Sequence, residues 1–146
     1  MTMTSVDYEL AAAIAQAVGT AISKTVEVVA DPRVDRESLS AARYVAMPAS
    51  YEESPLNRGQ DTETRQVHVG VVAPADAANV ETVDDCLALV DALRALWRRG
   101  GALRGKQLAG HDWVPPVKHS PLYDQQRLLQ EKLFVGLLTV TYRRAV

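Results

Sequence analysis

Residues Lys132 to Arg143, KLFVGLLTVTYR, constrain the fold more than any other part of the chain. Read as an extended segment, Phe134, Gly136, Leu138, Val140 and Tyr142 point to one side, and Leu133, Val135, Leu137, Thr139 and Thr141 to the other. A strand apolar on both sides belongs inside a sheet, because an open edge of this composition recruits other chains. The rest of the sequence is expected to pair with this strand and to cover it.

Two helices are expected to do the covering. Ser5 to Lys24 has Ser5 as N-cap, Asp7 and Glu9 at the positive end of the dipole, and an apolar stripe of Leu10, Ile14, Ala17, Val18, Ala21 and Ile22. Thr82 to Arg99 has Thr82 as cap with Asp85 three residues on, Arg98 and Arg99 at the negative end and Gly100 just beyond. Its buried stripe is Val83, Cys86, Leu87, Val90, Leu93 and Trp97, widened by Leu89 and Leu96.

Four further strands are expected. Thr25 to Val29 is ended by Asp31 and Pro32, and Arg43 to Pro48 by Pro48 itself. Thr64 to Ala73 has Val67, Val69 and Val71 on its core side, and Trp113 to Lys118 is confined to an edge or a bulge by Pro115 and Pro116. Residues 31 to 42 read as a loop or a short helical turn around Arg36 to Leu39, and Ser120 to Gln130 as a helical turn or an irregular lead-in. The order is α-β-β-β-α-β-β: an α+β domain with a mostly antiparallel sheet of about five strands and two helices on one face. At 146 residues, one domain covering 1–146 is expected.

One stretch falls outside this pattern. Residues 49 to 63 are polar, contain Pro55 and the turn pair Arg58–Gly59, and lack apolar periodicity, so they read as a long protruding loop or arm. With only Tyr51 and Leu56 as large apolar groups, the arm is expected to order itself against a neighbouring subunit rather than against its own domain.

Charge narrows the partners. Sixteen basic and 18 acidic residues give a net charge of −2 without a long run of either sign, which opposes sequence-specific nucleic acid or an anionic membrane as the main partner. No apolar run reaches the roughly 20 residues that span a bilayer. Asp7 and Glu9 stand where an export signal would be basic, so Leu10 to Ile22 is expected to be helix. The single cysteine, Cys86, leaves no internal disulfide and fits a reducing compartment.

Residues with chemical potential are better explained structurally. His111, Asp112 and His119 match no standard metal-ligand spacing and read as exposed loop residues. His68 lies among valines and is expected to be partly buried and hydrogen-bonded, and Cys86 is expected to be a small core residue. Asp84 and Asp85 answer to the helix dipole. Arg98, Arg99, Arg104 and Lys106 surround Gly100, Gly101 and Gly105 without the GK[ST] ending of a phosphate-binding loop, so they read as a solvated helix end or a contact with an acidic neighbour. No catalytic residue, cofactor site or metal site is expected.

The arrangement of Tyr44–Pro48, Arg65–Ala73, Val83–Trp97 and the terminal Lys132–Arg143 strand, with a charged loop between the first two, resembles the small tail-terminator or tail-completion proteins of long-tailed bacteriophages. The resemblance implies a non-enzymatic α+β subunit, made in the host cytoplasm and carried in the virion. It implies a six-membered ring on the tail tube that stops tube growth and meets the head-side connector or stopper protein. A ring needs a head-to-tail interface that closes. The surfaces expected to supply it carry Tyr51, Leu56 and Arg58 on the arm, and Arg98, Arg99, Arg104 and Trp113 elsewhere. A head-side neck or stopper protein, or a small ligand-binding α+β domain, is the alternative; a pocket lined by His68, His111 or Cys86 would favour the latter.

Overall fold

The computed structural model describes residues 5–32 and 41–146. The turn of helix expected around Arg36 to Leu39 lies outside the described residues. Helix α1 (Val6–Ile22) is capped by the Ser5 side chain, which accepts from the Tyr8 amide, and it is followed by the short strand β1 (Val26–Val28). Strands β2 (Arg43–Asn57) and β3 (Gln60–Pro74) form a long hairpin. Helix α2 (Val80–Arg94) runs into a 3-10 turn at Ala95–Trp97, and β4 (Asp112–Lys118), helix α3 (Gln125–Glu131) and β5 (Leu133–Ala145) complete the chain. The sheet order is β1-β2-β3-β5-β4, antiparallel except for the β1–β2 pair. The fold is α+β, and β5 sits in the interior of the sheet as its two apolar sides require.

Helices α1 and α2 pack on one face of the sheet. The core there contains Leu10, Ile14 and Val18 of α1, Cys86, Val90 and Leu93 of α2, Val67, Val69 and Val71 of β3, and Phe134, Leu138, Val140 and Tyr142 of β5. Ala21, expected in the α1 stripe, is exposed, because it falls in the last turn as the helix leaves the sheet. The opposite face carries a smaller cluster of Val45, Val72, Leu133 and Val135. Gly70 lets β3 and β5 approach closely on this side: a Cβ there would collide with the Gly136 carbonyl oxygen.

Two local readings are corrected, and an open one, the segment Ser120 to Gln130, resolves as helical. The N-cap of α2 is Asn79, whose side chain accepts from the Glu81 amide, while the Thr82 hydroxyl inside the first turn donates to the Asn79 carbonyl. Either residue type can cap, and chain entry from the Asp76 turn decides between them. The α-helical ladder stops at Arg94 rather than Arg99, tightening into the 3-10 turn that brings Trp97 into the core. Residues 125–131 form a third helix, capped by the Asp124 carboxylate at the Arg127 amide.

The largest correction concerns residues 49 to 63, which are strand and turn rather than loop. β2 continues through Pro48 and Pro55, and Arg58 and Gly59 make a two-residue connection to β3. Proline is tolerated because β1 pairs only with Tyr44 to Ala46, so beyond this point β2 is an edge strand. The arm needs no apolar periodicity of its own, since β3 is already held from its other side by β5, down to the Thr62–Ala145 pair. Ala49 falls in a bulge between the Pro48–Val67 and Ser50–Gln66 pairs, and that one extra residue inverts the facing of the side chains from Ser50 to Pro55, where a second shift at Leu56 follows. Tyr51 and Glu53 thereby share the helix-covered face with Arg65 and Glu63.

Candidate functional site

Arg65 occupies the β3 position one step beyond Val67, Val69 and Val71 on the core-facing side, so its charge enters the edge of the core. Its side chain is only 7% exposed. Nε donates to Asp7 at 2.9 Å, Nη1 to Glu63 at 3.1 Å and to Nε2 of His111 at 3.1 Å, and the guanidinium lies 4.8 Å from the centroid of the Tyr51 ring. Glu63 also accepts from Arg144 at 2.6 Å, and the Tyr51 hydroxyl lies 3.0 Å from Glu63 and 3.1 Å from Glu53.

The electrostatics follow from this geometry. Hydrogen bonds from Arg65 and then Arg144 hold the Glu63 carboxyl down at about 2. Loss of solvent around the hydroxyl, with the two carboxylates beside it, pushes Tyr51 up to about 12. Burial opposes the charge of Arg65, but Glu63 and Asp7 outweigh it and hold the guanidinium above its ordinary value. The cluster therefore acts as a fixed electrostatic clasp that joins the N-terminus of α1, the arm and the last strand.

His111, expected in an exposed loop, is fully buried against this clasp. The bridge between Leu108 and His111 folds the loop back on itself, and Nδ1 lies 2.8 Å from the Ala109 carbonyl. His119 is half-buried rather than exposed, held between Arg94 and the Leu122 carbonyl. His68 is also half-buried, with Nδ1 at 3.1 Å from Thr139 Oγ1. Cys86 is buried on α2, and burial raises its thiol pKa, the reverse of an activated nucleophile.

A groove of about 290 Å³ lies between the end of α2 and β4. Arg94, Arg98, Arg104, Trp97 and Trp113 line it with the Pro115–Pro116 pair. The Arg104 guanidinium stacks 5.4 Å from the Trp113 ring and donates to the Trp97 carbonyl, and Asp91 bridges Arg94 and Arg98. Two donors of its lining side chains, Arg94 Nε and Trp113 Nε1, have no acceptor. Of the residues expected at an interface, Arg98, Arg104 and Trp113 thus converge here, whereas Arg99 is exposed beside the groove without lining it. Tyr51, Leu56 and Arg58 lie together on the arm, where residues 49–61 are all exposed.

A wider cleft of about 650 Å³ opens on the other face of the sheet, lined by His68, Met47, Tyr123, Asp124, Arg127 and Leu137 among others. Among the described residues no group of three or more His, Cys, Asp or Glu side chains is placed to hold a metal ion, and no helix is long and apolar enough to cross a membrane.

Sequence reasoning missed the Arg65 clasp. Its signal was available in the alternation: Arg65 and Glu63 keep phase with the buried valines, and charges in a core phase demand partners. No family model matches the chain, and no curated protein matches it.

Proposed function

We propose that this chain is a structural virion subunit that forms a ring at the head-proximal end of a phage tail tube, ends tube polymerisation and joins the tail to the head connector. The observation that carries the reading is the arm: a preformed hairpin, exposed along 49–61 and anchored at its base by the Arg65 clasp, presented by a small α+β domain. An exposed edge strand is a ready site for pairing with another chain, and closed assemblies are built from such heterologous contacts. The resemblance in element arrangement to tail-terminator proteins supplies the context, with the tail tube and the connector as partners.

The test is to add the purified protein to polymerising tail-tube protein and to empty capsids, and to inspect both by negative stain. Rings seated on tube ends, with tube growth arrested, are the expected outcome. Binding to the capsid vertex alone would make it a head-side neck or stopper protein instead, and binding to neither would refute the reading.

One observation favours a second reading, a small ligand-binding domain: the cleft that His68 lines on the open face of the sheet. A small molecule that raises the melting temperature of the wild-type protein and not of His68→Ala would support it.

A further inference from the structure

We propose that the arm of one copy docks into the cation-lined groove of the next, so that copies join head to tail; the inference rests on the ring reading and identifies the two surfaces that meet. Charge pairs the two surfaces. Residues 50–63 carry four carboxylates and one cation; Glu63 is already engaged by Arg65 and Arg144, whereas Glu52, Asp61 and Glu53, which accepts from the Tyr51 hydroxyl, have no cation of their own subunit among the ion pairs of the described residues. Residues 94–106 carry five cations, Arg94, Arg98, Arg99, Arg104 and Lys106, and no carboxylate. Asp91 occupies only part of the donor capacity of Arg94 and Arg98, since each guanidinium has five N–H groups. The groove is rich in donors, and an acidic strand is rich in acceptors.

Strand register sets the two surfaces at the same height. Tyr51 pairs with Arg65, Arg65 with Tyr142, and Tyr142 with Trp113, so these four residues form a single rung across β2, β3, β5 and β4. Tyr51 and Trp113 stand at its two ends, on the same face of the sheet and about 14 Å apart by three strand spacings. The arm is therefore on one edge of the subunit and the groove on the opposite edge, at the same height. Two copies set side by side bring the arm of one to the groove of the other, and the same contact repeats with every added copy. Because the two surfaces lie on opposite edges, each such contact leaves the groove of one copy and the arm of the other free, so the contact extends into a ring or a filament.

Apolar groups on each side suit the same contact. Tyr51 and Leu56 are 46% and 57% exposed, large apolar groups on an otherwise polar arm, and the groove offers Pro115, Pro116 and the part of the Trp113 ring that Arg104 leaves uncovered. Aromatic and aliphatic anchors with a charged rim are the usual division of work in such contacts, the charges fixing register and excluding wrong partners.

The experiment uses two full-length charge-reversal variants. Glu52→Lys/Glu53→Lys/Asp61→Lys makes arm and groove both basic, and Arg98→Glu/Arg104→Glu makes both acidic; should the latter fail to fold, Arg94→Glu/Arg98→Glu, both lining the groove, replaces it. Each variant alone is expected to self-associate at least about tenfold more weakly than wild type by sedimentation velocity, and an equimolar mixture is expected to recover assembly, because every junction in an alternating array again pairs opposite signs. Wild type that remains monomeric, single variants that assemble as wild type does, or a mixture that fails to assemble would each overturn the proposal. Failure of the ring reading is separately visible: the mixture would assemble while tail tubes grew uncapped.

Discussion

The Nη1 of Arg65 donates to the Nε2 of His111 across 3.1 Å, and because a guanidinium can only donate, the imidazole is held neutral with its proton on Nδ1, facing the Ala109 carbonyl. Protonating Nε2 would set two cations against each other inside the protein. Burial first, then Arg144 and Arg65, depress the His111 pKa against the opposing backbone hydrogen bond to Ala109.

Stability should therefore fall in mild acid. With the folded-state pKa of His111 below 6.5, the unfolded chain binds the proton more readily, so this contribution is complete above pH 6.5 and is lost as pH falls through the folded value. His68, depressed by burial, acts in the same direction. Chemical unfolding of His111→Asn at a series of pH values should show a shallower decline than wild type below pH 6.5; an identical slope would mean that His111 does not titrate differently on folding.

A second acid step belongs to Glu63. Its carboxyl is held at about 2 against an ordinary 4.5, so the stability it contributes is present above pH 4.5 and lost as pH falls toward 2. Glu63→Gln should remove this step while leaving the decline below pH 6.5 in place. Titration of the Glu63 carboxyl followed by NMR should give a midpoint well below 4.5.

Removing Arg65 should cost more than removing any single partner. Arg65→Met leaves Glu63 with Arg144 as its one cation and strips Asp7 and His111 of their shared contact, and breaking a largely buried ion pair from one side costs about 3 to 5 kcal/mol. Asp7→Asn, which removes a half-exposed partner, should cost under about 1 kcal/mol. Equal losses in denaturant titration would show that the cluster does not depend on Arg65.

The packing between α2 and the sheet depends on Leu93, which is fully buried. Leu93→Ala should lower the free energy of unfolding by about 2 to 5 kcal/mol. A loss below about 0.5 kcal/mol would mean that this face of α2 is not in the core.

Hydrogen exchange should divide the arm by strand. Residues 62–66 of β3 have a partner on each side, whereas residues 50–57 of β2 pair on one side only. Amides of 62–66 should therefore exchange far more slowly than those of 50–57 in the isolated subunit, and assembly should slow the second set. Equal exchange of both sets before and after assembly would contradict the docking of the arm.

The α+β class, the interior position of β5, the edge position of β4 and the covering faces of α1 and α2 were legible in the sequence, because each follows from periodicity and from where proline can sit. The Ser5 cap and the buried valines of β3 were legible for the same local reason. The arm was not: Glu52, Glu53, Ser54 and Pro55 carry no strand pattern, and they are extended only because β3, clamped from the far side by β5, offers them a ladder. Nor could one residue of bulge at Ala49 be seen in the sequence, although it decides that Tyr51 faces Arg65 rather than the opposite side. The clasp of Asp7, Glu63, Arg65, His111 and Arg144 joins positions up to 137 residues apart in sequence, and the groove joins the end of α2 to β4. Local preferences determine which segments form elements and which faces they bury, since those depend on neighbours three or four residues away. Which charges meet, and which edges remain for another copy, depends on the register between strands, and register is a property of the packed sheet alone.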